Sequence, residues 1–164
     1  MSNWPSVLTW IESSALGNAI RGSGVWTYGV INLVHILGVA TLFGAILVLD
    51  LRLLGWRRDV ALASIASVTS PLAVIGFCLA ALSGVCLLAT NATEYASNPF
   101  LLTKFAAIAV GLINAIILSR LSGWKARSTR ELEHRERVQL AMLGGVSLLC
   151  WLTALAAGRM IGYW

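Results

Sequence analysis

The chain has 164 residues, 58% of them apolar and only 12% charged, with a formal net charge of +5. A soluble domain of this size would leave too much of that apolar surface in water, so the composition excludes an ordinary globular protein and places the chain in the bilayer. The positive charge reads as topology and contact with anionic headgroups, not as a nucleic-acid surface, because Glu131, Glu133 and Glu136 interrupt the richest basic stretch.

Within residues 1–24, the first twenty lack the basic start and continuous apolar stretch of a cleaved signal, and are expected to stay in the mature protein. Asn3 is placed to cap a helix, Pro5 suits a first helical turn, and Trp4, Leu8, Ile11 and Ala15 recur on one face. An amphipathic helix lying on the outer membrane surface follows, serving as a simple anchor or as a lid over a site that opens outward.

Four apolar runs, about 25–49, 71–90, 100–121 and 138–157, are each long enough to cross roughly 30 Å of hydrocarbon as a helix. None alternates with the period of two that a barrel strand requires. The expected fold is all-α, a four-transmembrane-helix bundle with an amphipathic N-terminal interfacial helix, forming one integral membrane domain over 1–164. The loop after the first run carries Arg52, Arg57 and Arg58, and the loop after the third carries Arg120, Lys125, Arg127, Arg130, Arg135 and Arg137. Those are nine of the twelve basic residues, so the positive-inside rule puts both loops in the cytoplasm and both termini outside.

Within the spans, Gly76, Ala80 and Gly84 make small-xxx-small steps, and Ala154 with Gly158 repeats the pattern, marking close helix contacts. Cys78, Cys86 and Cys150 all lie inside spans without CxxC spacing, which argues against a disulfide framework and for buried structural thiols. Asp50 and Arg52 are two residues apart and cannot pair on one helix; Asp50 is expected to meet Arg57, Arg58 or the basic loop, and Arg52 to reach Trp56 or a lipid phosphate. The sequon Asn91-Ala92-Thr93 is a short pattern that matters only in a glycosylating host.

His35 is the one histidine deep inside an apolar run, and an imidazole there marks a ligand, a relay or a polar helix contact. Tyr28, Asn32, His35 and Val39 share a face by helical spacing, Gly38 removes bulk one turn after the imidazole, and Lys104, Gly111, Asn114 and Leu118 share a face of the third span. The set suits a planar cofactor held by His35, with carboxylates reaching Lys104, Arg21 or Arg159. The same residues also have ordinary roles: a histidine or Asn114 can join helices, and a lysine near a helix end can reach the headgroups. There is no phosphate loop, no HExxH and no pair of carboxylates within a span, so hydrolysis and phosphoryl transfer are disfavoured and no catalytic residue is assigned.

The stretch Val34-His35-Ile36-Leu37-Gly38, then Leu49-Asp50-Leu51-Arg52-Leu53-Leu54-Gly55, with Asn98-Pro99-Phe100, Lys104 and Asn114 further on, resembles an uncharacterised bacterial family of small four-helix membrane proteins. More distantly the chain is similar to the copper-resistance D and HemJ-type protoporphyrinogen oxidase families. That resemblance implies a bacterial inner-membrane protein binding haem b, with His35 as metal ligand and Asn32, Gly38, Lys104, Asn114 and Arg21 around the cofactor. The pattern departs from a two-histidine haem site, since His134 lies in the basic loop, so Met, Cys, Lys, water or another subunit's histidine would complete the iron. Two functions remain open from the sequence. One is a haem-bearing subunit of a membrane oxidoreductase, passing electrons or meeting a quinone and anchoring a redox partner. The other is a cofactor-free anchor or assembly subunit, joined to a protein partner or to copies of itself. A transport element is disfavoured by the scarcity of ionisable residues in the spans.

Overall fold

The computed structural model describes residues 4–95 and 97–163, in which every regular element is helical. Seven α-helices follow in order: α1 (Trp4–Glu12), α2 (Ala15–Gly22), α3 (Val25–Leu53), α4 (Leu62–Thr90), α5 (Pro99–Arg120), α6 (Ser122–Ala126) and α7 (His134–Met160). Single 3-10 turns occupy Ala92–Tyr95 and Ile161–Tyr163. Helices α3, α4, α5 and α7 are each long and apolar enough to cross a membrane, making this a multi-pass membrane protein. Val30, Leu33, Ile36 and Leu37 on α3, and Ile113, Ile116 and Ile117 on α5, are exposed to the surroundings, as lipid-facing helices require.

Three of the four apolar runs understate their helices; the third, 100–121, matches α5 to within one residue. The first ends at 49 in the sequence reading, whereas α3 continues to Leu53 through Asp50 and Arg52, because a helix has no reason to stop where hydrocarbon does. It ends at Leu53, two residues before Gly55, whose φ of 107° is the left-handed conformation that follows many helix ends; the backbone N–H of Trp56 returns to the Leu51 carbonyl at 2.9 Å. Helix α4 begins at Leu62, nine residues before Pro71, and carries that proline in its interior. In membrane helices neighbouring groups can accommodate the backbone polar atoms that a proline releases. Helix α7 starts at His134, where Glu133 and Glu136 form a reciprocal capping box, rather than at the apolar boundary near 138.

The expected single N-terminal helix is two. Ser13 and Ser14 interrupt it, and the Ser14 side chain accepts from the Gly17 backbone N–H to start α2. On the predicted face Leu8 is 0% exposed and Ile11 is half-buried, whereas Ala15 falls on α2 and is exposed. The proposed cap at Asn3 and the side chain of Trp4 lie outside the described residues.

Contacts group the chain into two compact units. The first joins α1 and α2 to α3 up to Leu42 and to α4 from Val74, together with the Ala92–Tyr95 turn. There α3 and α4 touch backbone to backbone: a Cβ added at Gly38 would lie 2.6 Å from Ala80 N, and one at Gly76 only 2.4 Å from Leu42 N. This is the contact that the Gly76-Ala80-Gly84 spacing predicts.

The second unit holds the end of α3, the start of α4, and α5 to α7. Its buried centre is Leu49, Leu53, Leu62, Ala66, Leu118 and Leu140, with Leu121, Trp124 and Leu132 packed against it. Those residues flank both the α3–α4 turn and the α5–α7 connection, so the two basic loops lie at one end of this unit. Arg130 closes that end by donating to both carboxylate oxygens of Glu136 at 2.8 Å, and Arg127 stacks over the Trp124 ring at 4.1 Å. Clustering nine basic residues at one end has a topological consequence: reporter fusions at residues 60 and 128 are expected to report cytoplasm, and a fusion after Trp164 the opposite side. A cytoplasmic signal from the last fusion would reverse the assignment.

Candidate functional site

His35 belongs to the stripe of α3 that faces α4, which also contains Gly38 and Leu42 at helical spacing. Opposite it, α4 has Ser83 and Gly84. The ring approaches Gly84, where a Cβ would come within 3.1 Å of its Cε1 and 3.5 Å of its Nδ1. Its Nδ1 is 3.1 Å from the Ser83 Oγ. Ser83 in turn donates to the Leu79 carbonyl at 2.5 Å, one turn back on its own helix. A hydroxyl has a single proton, and here the backbone carbonyl takes it, so Ser83 accepts from His35 and the proton of the neutral ring sits on Nδ1. The lone pair then belongs to Nε2. A second partner holding Nδ1–H is the arrangement that orients an imidazole for coordination.

The remaining residues expected around a cofactor are distributed over both units. Asn32 is exposed on α3, and Ser83 is a polar partner of His35. Gly38 opens no space beside the imidazole; its missing side chain is taken up by the Ala80 backbone. Arg21 donates to the Ala89 and Thr90 carbonyls at 3.3 and 3.0 Å, to the Glu12 carbonyl at 2.7 Å and to the Asn18 side chain at 2.6 Å. It therefore satisfies the C-terminal carbonyls of α4 and ties α2 to them, a use that its position in the sequence gave no sign of. In the second unit, Asn114 is buried and donates to the Leu143 carbonyl at 3.0 Å, joining α5 to α7. Gly111, one turn earlier, receives the Trp151 ring. Lys104 stretches along Gly158, with its Nζ 3.3 Å from where a Cβ would stand. Arg159 stacks on Tyr163 at 4.5 Å. His134 is exposed at the first position of α7.

Other expectations are corrected. Among the described residues Asp50 meets none of the arginines; it is 2% exposed, hydrogen-bonded to the Ser147 hydroxyl, and its Oδ2 has no partner there. The sequence shows two nearby arginines but not that α3 turns Asp50 inward, toward α7. Arg57 pairs with Asp59 at 3.5 Å on the surface, while the Arg52 Nε donates to the Val60 carbonyl at 2.9 Å and braces the turn. Cys78 is exposed, and Cys86 and Cys150 are half-buried, so the thiols are less enclosed than expected. Among the described residues no group of three His, Cys, Asp or Glu side chains could hold a metal ion.

A second polar cluster joins α1 to the loop after α4. The Glu12 carboxylate accepts from the Thr93 backbone N–H at 2.7 Å and from its hydroxyl at 2.6 Å, beside a cavity of about 250 Å3 lined by Thr9, Glu12, Ser13, Asn18, Arg21 and Thr93. Those Thr93 bonds hold the Glu12 carboxyl below its ordinary value, with a smaller contribution from Arg21. A carboxyl whose folded value is depressed adds stability that is present above its unfolded value and is lost as pH falls through the folded one. Acidification below the ordinary carboxylate range is therefore expected to release α1, read as faster protease cleavage between α1 and α2, and Glu12→Gln should show that cleavage already at neutral pH. Cleavage that is equal in both proteins at every pH would dismiss the clamp.

No curated protein and no solved structure matches the chain. A family model does match, over residues 7–164, and nothing found supports the more distant likeness to the copper-resistance D or HemJ-type families. Matched by that model over almost its whole length, the chain belongs to the family of unknown function DUF6644.

Proposed function

We propose that this protein is a haem b-carrying membrane subunit that takes part in electron transfer and anchors a redox partner, with His35 as its iron ligand. One observation carries the reading: the Leu79–Ser83–His35 chain of hydrogen bonds, which puts the ring proton on Nδ1 and the lone pair on Nε2. Haem b, when bound, supplies one-electron chemistry at its iron. His35 would hold the iron through Nε2, and Ser83 would fix the tautomer and raise the basicity of the ring. The ring is also positioned by contact with Gly84, because any side chain there would push on Cε1. The donor set of the first unit fits a group that takes one histidine from this chain. Water, a partner or a second copy would complete the iron, and a quinone or redox protein would be the electron partner of the bound group.

A cofactor-free anchor or assembly subunit is the second reading, favoured by what the neighbouring residues do. Gly38, Arg21 and Asn114 are each occupied in joining helices, which requires no cofactor. The absorption spectrum of the protein purified with its native partners separates the two: a haem band that depends on His35 supports the first, and its absence supports the second.

A further inference from the structure

Asp50 is the most deeply buried ionisable residue among those described, 2% exposed against 8% for Glu136. Glu136 is answered by Arg130, whereas Asp50 has the Ser147 hydroxyl and an Oδ2 without a partner. The contact of α3 with α7 leaves little room around it. A Cβ added at Gly144, one turn before Ser147, would stand 3.3 Å from the Asp50 carbonyl oxygen and 3.0 Å from Leu53 Cβ. Leu49 and Leu53, on either side of Asp50 along α3, belong to the leucine centre of this unit.

Among the described residues no cation pairs with Asp50. On α3 the Arg52 Nε donates to the Val60 carbonyl, and residues 62–73, the part of α4 in this unit, include no titratable group. On α5, Arg120 is exposed, and Lys104 lies along Gly158, eleven residues and about 16 Å of helix beyond Ser147. On α7, Glu136 stands equally far to the other side in the hands of Arg130 and Ser122, His134, Arg135 and Arg137 are exposed, and Cys150 lines an open groove toward α5. A carboxylate here would be an uncompensated charge, and a buried acid avoids that by keeping its proton. One carboxyl and one hydroxyl are too few donors for a hard metal cation, which takes six or more oxygens.

We propose that Asp50 is a proton-binding site: its carboxyl holds a proton on Oδ2, accepts the Ser147 hydroxyl on the other oxygen, and exchanges the proton with water at the end of the unit that carries the basic loops. Leu53, the last residue of α3, is only three residues on. The step is proton transfer alone, from hydronium to Oδ2 and back to water, with no electron moved. It is independent of the haem reading, since His35 belongs to the other unit.

The chain has two aspartates, Asp50 and the exposed Asp59. Asp59→Asn protein, made by cell-free synthesis with aspartate carrying carbon-13 at its side-chain carboxyl, is therefore labelled at Asp50 alone. Infrared spectra of this full chain in phosphatidylglycerol–phosphatidylcholine vesicles read acid against carboxylate directly. At about pH 6, roughly two units above a free aspartate, an exposed group would be about 1% acid, and Asp50 is expected to be more than half acid, an excess of about 50-fold. Raising the pH should convert the band to carboxylate, and lowering it again should restore the acid. A carboxylate band already complete at about pH 6 overturns the site, and one that shifts when sodium is replaced by choline would assign Oδ2 to a metal cation instead. An acid band that no pH moves overturns the exchange. Stability reads the same proton without a label: a proton bound in the folded chain and released on unfolding makes stability fall as pH rises from about 6 to 8. Asp50→Asn cannot ionise and should remove that part of the fall; equal slopes in the two proteins would also overturn the proposal.

Discussion

His35→Ala is expected to abolish haem absorbance in protein that still inserts and folds. Removing the imidazole makes α3 more apolar, which favours insertion, and the lost hydrogen bond to Ser83 costs only about 1 kcal/mol in a membrane protein. On the proposed reading the iron, by contrast, would lose its bond to this chain. Ser83→Ala should give a graded result: the imidazole stays but its tautomer and orientation are released, and loss of such a supporting contact typically lowers metal affinity about 10- to 100-fold. His134→Ala should leave the spectrum untouched, since that residue is exposed at the start of α7 and belongs to the other unit. Absorption per protein, measured across the three variants, checks all of this. Wild-type protein without a haem band, purified together with its native partners, would leave the anchor reading in possession.

Gly76→Leu should be the most destabilising substitution in the first unit. A Cβ at Gly76 would stand 2.4 Å from Leu42 N and 2.9 Å from both the Gly38 carbonyl oxygen and Leu42 Cα, all backbone atoms that cannot rotate aside. Helices α3 and α4 would have to separate, and in lipid no hydrophobic force draws them back; only packing and polar contacts hold them. Overpacking typically costs 1–3 kcal/mol, and a backbone-to-backbone contact puts this substitution at about 3 kcal/mol or more. Separation would also pull His35 from Ser83 and Gly84, so haem retention should fall with stability. Gly44→Ala is the control, because nothing lies within 4 Å of a Cβ there and alanine favours a helix over glycine by about 1 kcal/mol. Unfolding in mixed micelles should rank Gly76→Leu below wild type and Gly44→Ala at or above it; equal stability of Gly76→Leu and wild type would refute the close contact.

The site was partly legible. His35 stands out because an imidazole is costly in hydrocarbon, and Gly76, Ala80 and Gly84 stand out because small residues at four-residue spacing let helices approach. Ser83 escaped notice: a single serine within a small-residue stretch carries no signal until the α3–α4 contact sets it against the ring. Asn32 was chosen by helical spacing alone, and spacing does not say where along its length a helix meets its neighbour. Of the bonds made by Arg21, only that to the Asn18 side chain is local enough to read; its other acceptors are backbone carbonyls, two of them nearly seventy residues away, and backbone acceptors leave no mark in a sequence.

By itself the sequence determined the all-helical, four-span class, the crowding of basic residues on two loops and the singularity of His35, because each depends on composition and on the cost of moving polar groups into hydrocarbon. The tertiary structure decided which polar groups face one another: His35 with Ser83, Asp50 with Ser147, Asn114 with the Leu143 carbonyl and Lys104 with the open face of Gly158. The spans are apolar on nearly every side, so the period of a single helix does not say which side is buried; in lipid that is chosen by close packing and a few hydrogen bonds between helices far apart in the chain.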